Sequence, residues 1–402
     1  MKKLLVILFL LSTVVLKADN NYPIVLVHGF LGWGPEELGG YKYWGGTEDL
    51  QKILEEKGYQ VFTVSVGPVS SNWERAIEVY TQLKGGQIDY GNVHAKKYGI
   101  VQMPEGKKYV GLYSEWDENH PVHLIGHSMG GQTIRMLQYQ LSQIIISDTT
   151  NNAPEKSALL GEEKNGWIAS ITSIATPHDG TTLANIMTKT FPCLQNIIGI
   201  ANVVGSGFYD FDLEHWGFSR GENETWSSYR RRMKDHLAWG TKNICAWDLS
   251  LDGAKELNST LIVDPNIYYF SFQTTATNLD TSTGYYIPKE DAMLLTRPRA
   301  KILGSTISYW KDGSSTDSTW FNNDGVVNTI SMTGPKTGVN GPDPIIEYQE
   351  NDLLIPGQWY TLGPYDLDHW SIIGHTLSDE EWARARSLYL AHAERLKKLT
   401  LN

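Results

Sequence analysis

The chain reads as an α/β protein built on an open, mostly parallel sheet with helices on both faces. Short continuous apolar runs bounded by Gly, Pro or Ser recur along it, as strands buried on both faces do. Stretches with helical spacing separate those runs. No repeat, low-complexity linker or composition shift divides the 402 residues, so one domain with insertions accounts for the length.

Taken in order, Tyr22 to Val27 is an apolar strand that ends in His28-Gly29-Phe30. A helical pattern follows from about Glu48 to Glu56, Gly58 stops it, and Gln60 to Val66 returns to strand. Ser70 or Ser71 is placed to cap a helix over Trp73 to Leu83, because a hydroxyl there accepts an orphan amide of the first turn. Val122 to Ile125 is the next strand, Gly126 to Gly131 a turn, and a helix runs on to about Leu141. Ser147 to Asn165 reads as a polar surface insertion. Trp167 to Ala175 and Ile267 to Phe272 are further strands, separated by an aromatic and charged stretch, Trp216 to Thr241, without a clear period. The last helix has Ser378 and Glu381 as a capping box, and Trp382, Ala385, Tyr389, Leu396 and Leu399 form its apolar face.

With 41% hydrophobic and 11% aromatic residues the chain is too apolar for a disordered protein. Its 45 acidic and 34 basic residues leave a net charge of -11, which repels phosphate backbones, so no nucleic acid is expected as partner. Two cysteines, Cys193 and Cys245, are too few for a disulfide scaffold. Met1 to Ala18 joins Lys2 and Lys3 to an apolar run from Leu4 to Leu16 and a small Ala18, the pattern of a secretory signal peptide. That run is short for a bilayer span. A secreted protein is expected, with 19–402 as the mature domain and no integral membrane segment after cleavage. Losing Lys2, Lys3 and Lys17 and no acid takes the net charge from -11 to -14.

The sharpest local signal is Gly126-His127-Ser128-Met129-Gly130, a G-x-S-x-G between a short strand and a helix. A tight strand-to-helix turn needs glycine at both flanks, and it projects Ser128 from the sheet edge as a nucleophile. A hydroxyl needs a base and the base an orienting carboxylate, which follow such an elbow in the order Asp or Glu, then His. Among the late histidines, His392 falls on the final helix, whereas His369 lies in a loop ahead of it and is the expected base, with His375 as alternative. Asp324, in the Asn322-Asn323-Asp324-Gly325 turn, is the expected acid; Asp366 and Asp368 are alternatives, but they are very close in sequence to His369. The backbone N–H groups of Phe30 and Met129 are the expected oxyanion hole.

The segments Pro23 to Gly34, Tyr43 to Gly46, Val66 to Arg75, Asp89 to His94, Gly126 to Thr133, Ile174 to Leu183, Asn323 to Met332 and Tyr365 to Gly374 span nearly the whole mature chain. Through them, in order, the sequence resembles the secreted triacylglycerol lipases of thermophilic bacilli and staphylococci. The resemblance implies an α/β-hydrolase fold and a serine lipase whose triad is Ser128, Asp324 and His369, acting on a lipid ester substrate at an oil-water interface. It also implies a zinc site, but where that family has Asp, His, His and Asp this chain has Glu74, His94, Ile100 and Glu214, and isoleucine cannot ligate a metal. The family's calcium carboxylates correspond to Ser371 and Thr376. No metal and no cofactor are therefore assigned.

Thr188 to Phe208 sets Leu194, Ile197, Ile198, Ala201 and Val204 on one helical face, and the resemblance makes 188–208 a lid, followed by an insertion over 209–245. Cys193 at its start is a candidate partner for Cys245. A carboxylesterase or phospholipase would use the same triad, while a non-catalytic binding module would lack a member of it.

Overall fold

The first apolar run, Ile24–Val27, explains how the sheet is buried: Ile24 and Leu26 pack into one hydrophobic cluster and Val25 and Val27 into another. Side chains alternate across a strand, so a run with no polar positions needs a cover on each face. The computed structural model, which describes residues 19–148, 150, 152–190, 212, 214–216, 224–234, 241–350 and 352–400, supplies both covers.

The strands are β1 (Ile24–Val27), β2 (Val61–Val64), β3 (Val122–His127), β4 (Ile168–Ile174), β5 (Tyr268–Thr274), β6 (Ile345–Glu347) and β7 (Trp359–Tyr365). They lie in the order β6-β7-β5-β4-β3-β1-β2, and every neighbouring pair is parallel. On the Val25 face pack α2 (Asn72–Lys84), through Ala76, Val79 and Leu83, and α3 (Met129–Leu141), through Ile134 and Leu137. On the Leu26 face pack α1 (Leu50–Glu55) and the last helix, α5 (Asp379–Lys397), through Leu50, Trp382, Ala385 and Leu396. Truncating one of these fully buried aliphatic side chains to alanine costs about 2–5 kcal/mol. Between these helices in sequence, α4 (Thr182–Thr190) follows β4.

The capping differs from expectation. Ser378 accepts the Glu381 amide, but the Glu381 carboxylate turns to the hydroxyls of Ser371 and Thr376. A complete capping box forms instead at Ser71 and Glu74, at the start of α2. Two strands, β6 and β7, were not expected: β6 has three residues, and β7 contains Gly363-Pro364, which reads as a turn and coincides with a register shift on β5. The polar insertion holds a small antiparallel ladder, Ile146–Asp148 with Ala153–Pro154.

Residues 1–18 and 191–208, with Cys193 and the apolar face from Leu194 to Val204, lie outside the described residues, as do 209–211, 213, 217–223 and 235–240 of the insertion. Among the described residues, no helix is long and apolar enough to cross a membrane.

Candidate active site

The site lies where parallel sheets present their loops, at the carboxyl ends of β1, β3, β5 and β7. Ser128 leaves β3 with φ 55° and ψ -127° and opens α3, so the nucleophile candidate occupies a strained backbone conformation. Both flanking glycines are required by space. A Cβ on Gly126 would stand 2.3 Å from the Gly130 carbonyl carbon, and one on Gly130 would stand 2.3 Å from the Val27 carbonyl oxygen. The Ser128 amide is held by the Ile174 carbonyl at 2.8 Å, which pins the elbow to β4.

The turn holding Asp324 and the loop holding His369 meet beyond β5. His369 Nδ1 donates to Asp324 Oδ2 at 2.8 Å, and its backbone N–H donates to the Asp324 carbonyl at 3.1 Å. Thr274, the last residue of β5, donates its hydroxyl to the same Oδ2 at 2.8 Å. Oδ1 accepts the amides of Val326 at 3.0 Å and Val327 at 2.8 Å. The carboxylate is fully buried with four donors, which offset its desolvation. With Nδ1 committed as donor, the lone pair of the neutral ring resides on Nε2, as a general base requires.

The alternatives are engaged elsewhere. His375 Nε2 donates to the Tyr43 carbonyl at 2.9 Å, and burial lowers its pKa. His392 takes a hydrogen bond from Arg395 on Nδ1, which leaves Nε2–H to donate to the Thr172 hydroxyl at 2.7 Å. Asp366 pairs with Lys289, and Asp368 accepts the amides of Trp370, Ser371 and Met293.

Phe30 and Met129, the expected oxyanion donors, stand at the two loops that meet here: Phe30 follows Gly29, whose Cβ would lie 2.7 Å from the Ser128 Cβ, and Met129 is the first residue of α3. Buried Arg75 of α2 holds the first loop by donating to the carbonyls of His28 and, at 2.7 Å, Gly67. Burial, and then the Arg75 charge, lower the His28 pKa to about 3; the neutral ring accepts the Val66 amide on Nε2. Thr274, Arg75, Tyr43 and His127 were not singled out from the sequence as site residues. Their roles rest on contacts to segments remote in the chain, and only His127, inside the G-x-S-x-G motif, stood in a segment that the sequence marked as part of the site.

A family model described as "Lipase-like, C-terminal domain" matches residues 20–388. The chain belongs to this family. Its relatives include "Lipase" of Staphylococcus hyicus, 36% identical over 369 residues that make up 90% of this chain and 55% of that protein. The chain spans about half the length of the curated relatives it matches. Among solved structures, EstA from Clostridium botulinum is 40% identical, with a TM-score of 0.82 over 97% of this chain and 90% of its own. Staphylococcus hyicus lipase is 33% identical, with a TM-score of 0.85 over 95% of this chain and 96% of its own. The fold of this member of the lipase-like family is thus that of the α/β-hydrolases.

Among the described residues, the zinc position implied by the resemblance shows no zinc donor set. Fully buried Glu74 has His94 Nε2 at 3.5 Å from Oε1 and His215 Nε2 at 3.2 Å from Oε2, each imidazole beside a different oxygen, while the Asn243 amide donates to Oε1. His215, which the sequence did not single out, faces Glu74 from the short helix Glu214–Trp216, while the side chain of the expected Glu214 lies outside what is described. Ile100 packs against the hydrophobic core. Among the described residues no group of three or more His, Cys, Asp or Glu could hold a metal. Burial opposes the His215 charge, but the Glu74 carboxylate outweighs it and raises the pKa to about 9. Burial likewise opposes the Glu74 charge, which His215 and then His94 stabilise, so its pKa falls well below the usual range. An imidazolium thus supplies the positive charge here. The calcium position does not fit either, since Ser371 and Thr376 both spend their hydroxyl protons on Glu381.

Close by, half-buried Asp248 accepts the Asn72 amide at 2.6 Å, and its pKa is pushed up to about 7, chiefly by loss of solvent around its carboxylate. The folded state holds this proton more tightly than the unfolded chain, so the stability it contributes is complete below about pH 4 and lost as pH rises through about 7. Asp248→Asn is expected to melt at a higher temperature than wild type at about pH 8 and close to it at about pH 4. An equal difference at both pH values would show that Asp248 does not titrate in this window.

Proposed function

We propose that this chain is a secreted serine lipase that hydrolyses the carboxylic esters of triacylglycerols through an acyl-enzyme, with Ser128 as nucleophile, His369 as general base and Asp324 as its orienting acid. The observation that carries this is the Asp324-His369 hydrogen bond, which leaves Nε2 as the basic nitrogen in a site built around a strained serine elbow. His369 takes the Ser128 proton as Oγ attacks the acyl carbonyl. The oxyanion then rests on the Phe30 and Met129 amides, aided by the N-terminus of α3. His369 returns the proton to the departing alkoxide, and water, activated by the same base, releases the fatty acid. Residues 1–18 act as the export signal, and 188–208 as a lid that opens at a lipid surface.

Triacylglycerol emulsions of graded chain length, each assayed with and without a chelator and compared with soluble short-chain esters, test this. Turnover is expected to rise sharply above the solubility limit of each ester and to be unchanged by the chelator. Turnover confined to monomeric soluble esters would make the enzyme a carboxylesterase. Loss of activity on chelation, restored by zinc or calcium, would overturn the metal-free reading of Glu74 and Glu381.

A further inference from the structure

Resting on the catalytic roles proposed above, we infer that Tyr43 and His127 are positioning residues: one hydrogen-bonded chain through their side chains holds the oxyanion loop, the serine elbow and the backbone of His369 in register. His127 Nε2 lies 3.0 Å from the His369 carbonyl oxygen, and Nδ1 lies 2.7 Å from the Tyr43 hydroxyl. That hydroxyl oxygen is in turn 2.9 Å from the Gly29 amide. A carbonyl can only accept, so His127 carries its proton on Nε2 and Nδ1 must accept. Tyr43 is then the donor to Nδ1, and its oxygen is left to accept from Gly29. The direction is therefore single: Gly29 N–H to Tyr43 O–H to His127 to His369 C=O.

Every link is buried, with His127 0% and Tyr43 2% exposed, so no water replaces a lost partner cheaply. The chain's attachments are also specific to the site. Gly29 precedes the Phe30 amide, and His127 immediately precedes Ser128. The His369 backbone is gripped on both sides, its N–H by Asp324 and its carbonyl by His127, which fixes the pivot of its ring. The rings of His127 and His369 are 4.7 Å apart, and burial, then the His369 charge, keep His127 neutral. The imidazolium formed during acyl transfer therefore meets no like charge from this neighbour. Tyr43 and His127 act through the groups they hold, keeping donor, nucleophile and base in one geometry, where a displacement of about 1 Å can cost about a hundredfold in rate.

Three variants separate this role from mere packing. Tyr43→Phe removes only the hydroxyl. His127→Leu keeps bulk but neither hydrogen bond, whereas His127→Gln offers an amide N–H to the His369 carbonyl and a carbonyl to Tyr43. His127→Leu is expected to lower kcat about a hundredfold with KM within about twofold, Tyr43→Phe about tenfold, and His127→Gln to recover to within about fivefold of wild type. Adding Tyr43→Phe to His127→Leu should cost less than it does in the wild type, since the Tyr43–His127 link is already broken and only the Gly29–Tyr43 link is left to lose. Melting temperatures accompany each assay, and if His127→Leu does not fold, Tyr43→Phe and His127→Gln decide. Wild-type kcat in Tyr43→Phe, a folded His127→Gln as impaired as His127→Leu, or losses that simply add would overturn the proposal. Ser128→Ala in the same series keeps the two failures apart: an inert Ser128→Ala beside fully active Tyr43→Phe and His127→Leu refutes the positioning chain alone, whereas an active Ser128→Ala refutes the catalytic roles beneath it.

Discussion

Ser128→Ala is expected to lower hydrolysis of a triacylglycerol emulsion by about 10^4- to 10^6-fold, to the rate that binding and the oxyanion amides alone sustain. The fold should survive, because the elbow is shaped by Gly126, Gly130 and the amide bond to Ile174 rather than by the hydroxyl. Alanine inherits the same positive φ, so the strain remains; Ser128→Gly should be equally inactive but melt somewhat higher, since relief of such a conformation is worth about 1 kcal/mol or more. His369→Ala should lose a comparable factor, and the double variant no more than either single one, as expected of groups that act as a unit. Turnover within tenfold of wild type in a folded Ser128→Ala would remove the nucleophile assignment.

Asp324→Asn is expected to cost about 10^4-fold in kcat although it is nearly isosteric. The carboxylate surroundings explain why. The Val326 and Val327 amides converge on Oδ1 and demand an acceptor, so the asparagine oxygen turns to them and the NH2 group faces His369 and the Thr274 hydroxyl. His369 Nδ1 must then accept, which moves the ring proton to Nε2, where it blocks the base. Thr274→Val, which removes one donor and leaves the tautomer intact, should cost far less. Measuring kcat and melting temperature for both variants checks this: an Asp324→Asn enzyme with near-wild-type kcat would show that His369 does not depend on this carboxylate for its tautomer.

Much of this site was legible in one dimension. The G-x-S-x-G turn announces itself because its glycines are spelled out within five residues, although only the Gly126 clash, with the Gly130 backbone at 2.3 Å, is local; a Cβ on Gly130 would strike Val27 of β1. The runs that became β1 to β5 were legible because burial on both faces keeps strands rich in apolar residues, even though buried polar residues such as His123, Ser170, Thr172 and Ser271 stand among them. Strands β6 and β7 were not, because a three-residue edge strand and a strand containing Gly363-Pro364 carry the letters of loops and become strands only by pairing with each other and with β5. Glu381 illustrates the same limit: its spacing from Ser378 is that of a capping box, but two hydroxyls on a neighbouring loop compete for it and win.

By itself the sequence determined the sheet-and-helix alternation and the elbow at Ser128, which short runs of neighbouring residues spell out, and the chain order in which Asp324 and His369 follow it, which needs no fold to be read. Only the tertiary structure decided that Asp324 and His369 meet, that His375 and His392 are spent on Tyr43 and Thr172, and that His215 faces Glu74. It alone brought Thr274, Tyr43 and His127 to the site as well. A hydrogen-bond partner is chosen by where the folded chain leaves an unsatisfied buried group, and for His127 that group lies 242 residues away along the chain.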